Sequence, residues 1–110
     1  MNGRIAVIGD KIMVDGFMSI GIKDTFQIDN DKQLKDALDS VIKNNEIALV
    51  IIQESLVDRL NQRDRDNIQK SVRPLFIEIP GFNEKEVHTE RLRDLILRAL
   101  GIDISNRYKI

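Results

Sequence analysis

Ile5-Ala6-Val7-Ile8 and Ile47-Ala48-Leu49-Val50-Ile51-Ile52 are the two stretches that decide the fold. Each is continuously apolar rather than alternating. Continuous hydrophobicity in a short run means burial on both faces, the condition of a strand inside a parallel sheet. The first run ends at Gly9-Asp10 and the second at Gln53-Glu54, so both close on polar or turn-forming residues.

Between the two runs the period changes. Asp10 is suited to cap a helix, and Met13, Gly16, Phe17 and Ile20 recur at helical spacing until Gly21 ends the segment. Asp24-Thr25-Phe26-Gln27-Ile28 is short, with Phe26 and Ile28 on one side, and predicts an edge strand. After Asp29-Asn30-Asp31, the residues Leu34, Ala37, Leu38, Val41 and Ile42 form an i, i+3, i+4, i+7, i+8 stripe, the cleanest amphipathic helix in the chain.

Beyond the second run, Ser55 and Asp58 have capping-box spacing, and Leu56, Val57 and Leu60 open a helix. The charges Arg63-Asp64-Arg65-Asp66 interrupt its apolar pattern and predict a break or a solvated turn before Ile68 and Val72. Pro74 holds Arg73 extended. Leu75-Phe76-Ile77-Glu78-Ile79 is the last strand, closed by Pro80-Gly81. A polar linker, Asn83 to Glu90, leads to a final stripe of Leu92, Leu95, Ile96, Ala99 and Leu100, which Gly101 caps.

The order β-α-β-α-β-α-β-α predicts an α/β fold, a small four-stranded parallel sheet with helices on both faces and a C-terminal amphipathic helix. The runs at Ile5 and Ile47 are central and the strand at Phe26 is at an edge, which gives the order 2-1-3-4 of a short flavodoxin-like or Rossmann-like sheet. Residues 1–81 make this domain, and residues 82–110 supply the linker, the last helix and a tail.

Composition narrows the function. A chain of 110 residues supports one core. Its net charge of −1 gives no field for nucleic acid or anionic lipid, and four Phe and one Tyr make no base-stacking platform. Without cysteine there is no thiolate chemistry, disulfide or cysteine metal site. The longest apolar run is Ile47 to Ile52, far below the ~20 residues of a membrane span, so direct membrane insertion is not expected. The apolar run at Ile5 is too short and too early for the core of a signal peptide.

Chemistry is sparse. In such a sheet, ligands favour the carboxyl ends of the strands at the point where the strand order reverses, here Gly9, Asp10, Gln53 and Glu54. A small ligand or a phospho-acceptor fits that place, but capping alone explains Asp10. A receiver-like signalling domain needs an Asp at the end of its third strand, where this chain has Gln53, and a Lys on a further strand. One glycine at Gly9 makes neither a dinucleotide fingerprint nor a phosphate loop. The lone His88, and Asp29, Asp31 and Asp36 without calcium-loop spacing, suggest surface and helix-start roles. No cofactor or metal is expected. The last stripe either closes over the sheet or docks against a partner helix.

Ile5-Ala6-Val7-Ile8-Gly9-Asp10 followed by Gly16-Phe17 and Gly21-Ile22 resembles the opening of the F subunits of A/V-type (archaeal and vacuolar-type) rotary ATPases. The third strand running into a helix at Glu54, Pro74 leading to Phe76-Ile77-Glu78-Ile79-Pro80, and the ending Ile96 to Ala99-Leu100-Gly101-Ile102 are similar too. No one motif is specific; their order and spacing across the chain are. The resemblance implies a Rossmann-like domain with a mobile carboxyl-terminal segment in the central stalk, bound to the coiled-coil D subunit of the rotor, with the catalytic A/B head as a further contact. It implies a non-catalytic component that tunes ATP synthesis or hydrolysis coupled to ion transport, peripheral on the cytoplasmic side of the membrane. That family often has Ser where this chain has Gly81. Leu92, Leu95, Ile96 and Ala99 are the expected partner-binding or domain-contact residues. A receiver-like or small-ligand-binding α/β module is the alternative.

Overall fold

The computed structural model describes residues 3–81 and Asp94. Its centre is the pair of apolar runs. β1 (Arg4–Gly9) and β3 (Ile47–Gln53) lie side by side and parallel, with Ala6 opposite Val50 and Ile8 opposite Ile52. β2 (Asp24–Gln27) pairs with the outer side of β1, and β4 (Leu75–Ile79) with the outer side of β3. All pairings are parallel and the order is β2-β1-β3-β4, as expected from the sequence.

Alternation of side chains across the pleat divides the core into two layers. On one face Ala6, Ile8, Val50 and Ile52 pack beneath α2 (Asp31–Lys43), α3 (Glu54–Val57) and α4 (Gln62–Lys70), which contribute Leu34, Leu38, Val41, Leu56 and Ile68. On the other, Val7, Ile51 and Ile79 meet Met13 and Phe17 of α1 (Lys11–Ser19). Phe17 is fully buried, worth about 1.5–3 kcal/mol relative to exposure. α1 stops at Ile20, and Gly21 takes φ of 99°, a conformation in which a Cβ is strained.

Three local expectations are corrected. Ser55 and Asp58 form no capping box. α3 starts two residues earlier than that box implies, at Glu54, and its N-cap Gln53 makes no side-chain cap bond; that side chain is turned toward Asp10. The break after Leu60 does not fall at residues 63–66, which are helical. It falls before them, because Asn61 accepts a hydrogen bond from the Asp64 N–H at 2.8 Å and starts α4 at Gln62. Finally, the α2 stripe is narrower than its spacing implies. Leu34, Ala37, Leu38 and Val41 are buried, whereas Ile42 is 48% exposed.

The final amphipathic stripe, Leu92, Leu95, Ile96, Ala99 and Leu100, lies outside the described residues; Asp94, which is not part of it, is helical and exposed.

Candidate functional site

The strand order reverses between β1 and β3, and their carboxyl ends hold Gly9, Asp10, Gln53 and Glu54. Asp10 is the N-cap of α1, with extended backbone, and its Oδ1 accepts from the Met13 N–H at 2.9 Å. That bond satisfies one of the donors a helix start leaves unpaired. Gln53, at the end of β3, is 8% exposed. Its Oε1 accepts from the Asp10 N–H at 2.8 Å, and its Nε2 donates to Asp10 Oδ2 at 3.1 Å. A carboxamide suits this position because it offers both an acceptor and a donor.

Two glycines allow the close packing. A Cβ on Gly9 would lie 2.7 Å from Met13 Sδ, and one on Gly81 only 2.6 Å from Gln53 Nε2. Gly9 O also accepts from the Ile28 N–H at 2.9 Å, tying the site to the exit of β2. Residues from the starts of α1 and α3 and from the exit of β4 therefore converge on one carboxylate and one amide. Both Asp10 oxygens and both polar atoms of the Gln53 amide have partners within the chain. Nearby, Lys11 donates to Asp15 one turn on, and this hydrogen bond, then the carboxylate's charge, raises the Lys11 pKa above its ordinary value.

Gln53 stands where a receiver carries its phospho-accepting Asp, and its amide is committed to Asp10. At the strand ends the Gln53 amide and the Asp10 carboxylate are therefore paired with each other. Among the described residues no buried side-chain polar atom lacks a partner, and no three His, Cys, Asp or Glu side chains are grouped to hold a metal.

Some of the other acids sit at helix starts or in ion pairs. Asp31 pairs with Arg59. The Asp29 N–H donates to Gln33 Oε1 at 2.6 Å while Asn30 Oδ1 accepts from the Gln33 N–H at 2.9 Å. Asp36 is exposed. The Arg63–Asp66 run is more than a solvated face: Asp64 pairs with Lys35 of α2 at 3.1 Å, and Arg65 donates to the carbonyls of Asp58 and Leu60. Asn61 with Asp64 three residues on was the legible signal for that helix start.

A groove of about 300 Å³ between α2 and α4 was not anticipated. Leu38, Ile42 and Ile68 supply its apolar atoms, and Lys35, Asp39 and Arg63 are among its charged residues. The expected contact residues Leu92, Leu95, Ile96 and Ala99, and His88, lie outside the described residues.

Comparison with known proteins gives a consistent set of relatives. The profile of the family described as ATP synthase (F/14-kDa) subunit matches residues 5–96. The F subunit of the A-type ATP synthase of Archaeoglobus fulgidus is 30% identical over 101 residues, covering 92% of this chain and 96% of that protein. The corresponding F subunit of Thermoplasma acidophilum is 32% identical over 108 residues, covering 96% and 99%. Among solved structures, the F subunit of the V-type ATP synthase from Archaeoglobus fulgidus superposes with a TM-score of 0.66 at 28% identity, over 72% of this chain and 99% of that one.

Proposed function

Because the chain belongs to the family of the ATP synthase (F/14-kDa) subunit, that of the F subunits of A/V-type ATP synthases, we propose that it is a non-catalytic component of the central stalk. In this role it binds the coiled-coil D subunit, has the catalytic A/B head as a second contact, and tunes the coupling of ATP synthesis or hydrolysis to ion transport. The observation that carries the proposal is the match to that family from residue 5 to residue 96, in a chain whose Asp10 and Gln53 at the switch point are paired with each other. A switch point whose acid and amide are engaged with each other suits a structural role there, which agrees with a docking subunit.

Residues 82–110 are proposed as linker, helix and tail following the domain of residues 1–81. Leu92, Leu95, Ile96 and Ala99 contribute contacts to the partner or to the domain. Attachment to the membrane is peripheral, through the complex, on its cytoplasmic side. No helix among the described residues is long and apolar enough to cross a bilayer.

The test is co-expression with the D subunit of the same organism, followed by size exclusion and calorimetry. A 1:1 complex supports the stalk role. A well-folded chain that does not bind the D subunit overturns it and returns attention to the Gly9 and Gln53 edge. Acetyl phosphate that labelled the chain would favour the receiver-like alternative.

A further inference from the structure

α2 and α4 cover the same face of the sheet, and each returns from the end of one strand to the start of the next, so the two helices run parallel. Lys35 of α2 and Asp64 of α4 join them at 3.1 Å near their starts. The groove of about 300 Å³ lies between them. Its α2 wall carries Lys35, Asp39 and Ile42, spaced at i, i+4 and i+7 along one helix face, and its α4 wall carries Arg63 and Asn67, one turn apart. Leu38 and Ile68 are both buried and make the floor, while Ile42 stays half-exposed at the groove.

Asp39, Arg63 and Asn67 are exposed, and none of the three is paired with another described residue. The groove therefore offers a carboxylate on one wall, a guanidinium on the other and a narrow apolar floor between them. A lone amphipathic helix buries a whole apolar face and needs a wide apolar groove. A helix already seamed to another keeps its apolar stripe for that seam, and the positions beside it carry Glu and Lys. Walls of both signs around a small apolar floor are complementary to the second kind of helix.

We propose that the α2–α4 groove seats one helix of the coiled-coil D subunit, on the face turned away from that subunit's own seam. An apolar side chain of the D helix enters over Leu38 and Ile68 against Ile42, with an acid toward Arg63 and a base toward Asp39. The inference rests on the stalk role proposed above and adds the surface through which the domain of residues 1–81 takes part in it.

The test is calorimetric titration of the D subunit of the same organism into the full chain and into Ile42→Asp, Arg63→Glu and Met18→Asp. Met18 is an exposed apolar residue of α1, on the opposite face of the sheet, and serves as the control. All three positions are exposed, so urea unfolding followed by circular dichroism should give the parent's midpoint for each free variant. Ile42→Asp should weaken binding by at least about 10-fold. Arg63→Glu should weaken it by about 3–10-fold and flatten its dependence on salt. Met18→Asp should stay within about 2-fold of the parent. A parent that binds while Ile42→Asp binds equally well, or a Met18→Asp loss as large as that of Ile42→Asp, overturns the groove and leaves the stalk role standing. A folded parent that does not bind the D subunit overturns the stalk role and the groove with it. A free chain that dimerises in analytical ultracentrifugation until Ile42→Asp disperses it assigns the groove to a second copy. A lowered unfolding midpoint for free Ile42→Asp shows that the groove is covered within the chain. Either result overturns the proposal.

Discussion

Replacing Gln53 tests whether the latch at the switch point is structural. In Gln53→Ala the hydrogen bonds to the Asp10 N–H and to Asp10 Oδ2 are lost together. Each contributes about 1 kcal/mol net, more where the acceptor is charged. The part-buried Asp10 N–H loses its partner, but water can reach it, so we expect the low end of the unsatisfied-donor cost, and about 2–3 kcal/mol in all. Gln53→Glu separates charge from shape. One carboxylate oxygen can still accept from the Asp10 N–H, but the other falls where Nε2 now lies, 3.1 Å from Asp10 Oδ2. Two carboxylates so close raise the folded-state pKa of the pair above its unfolded value. The destabilisation is therefore full at pH 7 and declines as pH falls through the raised folded-state pKa. Urea unfolding followed by circular dichroism, at pH 7 and about pH 4.5, measures both effects. Relative to the parent protein at each pH, Gln53→Glu should recover stability in acid and Gln53→Ala should not. A loss under about 0.5 kcal/mol for Gln53→Ala, or no pH difference between the variants, would refute the structural role assigned to Gln53.

Four further outcomes follow from the packing. Gly81→Ala places a Cβ against the end of the Gln53 side chain and should cost no more than the Asp10 bond it displaces, about 1 kcal/mol; in a double-mutant cycle with Gln53→Ala, the double variant should lose less than the sum of the two single losses. Phe17→Ala empties the centre of the α1 layer, and chemical denaturation should show a loss of about 3–5 kcal/mol. Asn61→Ala removes the cap on the Asp64 N–H and should cost about 0.5–2 kcal/mol, with the fastest added amide exchange in the first turn of α4. Ile42→Ala should cost less than about 1 kcal/mol while Leu38→Ala costs about 2–5 kcal/mol, since only Leu38 is buried; equal losses would place Ile42 in the core after all.

Much of the fold was legible from side-chain periodicity because burial on two faces, one face or neither leaves different spacings. Ile5–Ile8 and Ile47–Ile52 are apolar throughout because helices cover both sides of β1 and β3. Asp24–Gln27 is mixed because β2 is an edge. The order 2-1-3-4 followed from which strands needed two neighbours. The candidate site was legible only as a place. Topology put Asp10 near Gln53, and a capping role for Asp10 is local chemistry that sequence expresses.

Local sequence sufficed for the properties that depend on neighbours along the chain: the strands, the helix faces, the Asp10 cap and, through them, the parallel order. Properties that join residues far apart in sequence arose from packing. The reciprocal Gln53–Asp10 bonds join positions separated by 43 residues, and the close fit of Gly81 against the same amide arises only once β4 lies beside β3. Ile42 fits the apolar spacing of α2, yet it lines the open groove beside α4, because a helical stripe records which side is apolar and not how far the neighbouring helix reaches. The start of α4 turned on Asn61 satisfying a backbone donor, a local signal that the charges of residues 63–66 obscured. Hydrophobic pattern specifies layers, because burial is non-directional and proportional to area. Hydrogen-bond partners and the edges of the core are set by distances of a few ångströms between elements, which exist only in the folded chain.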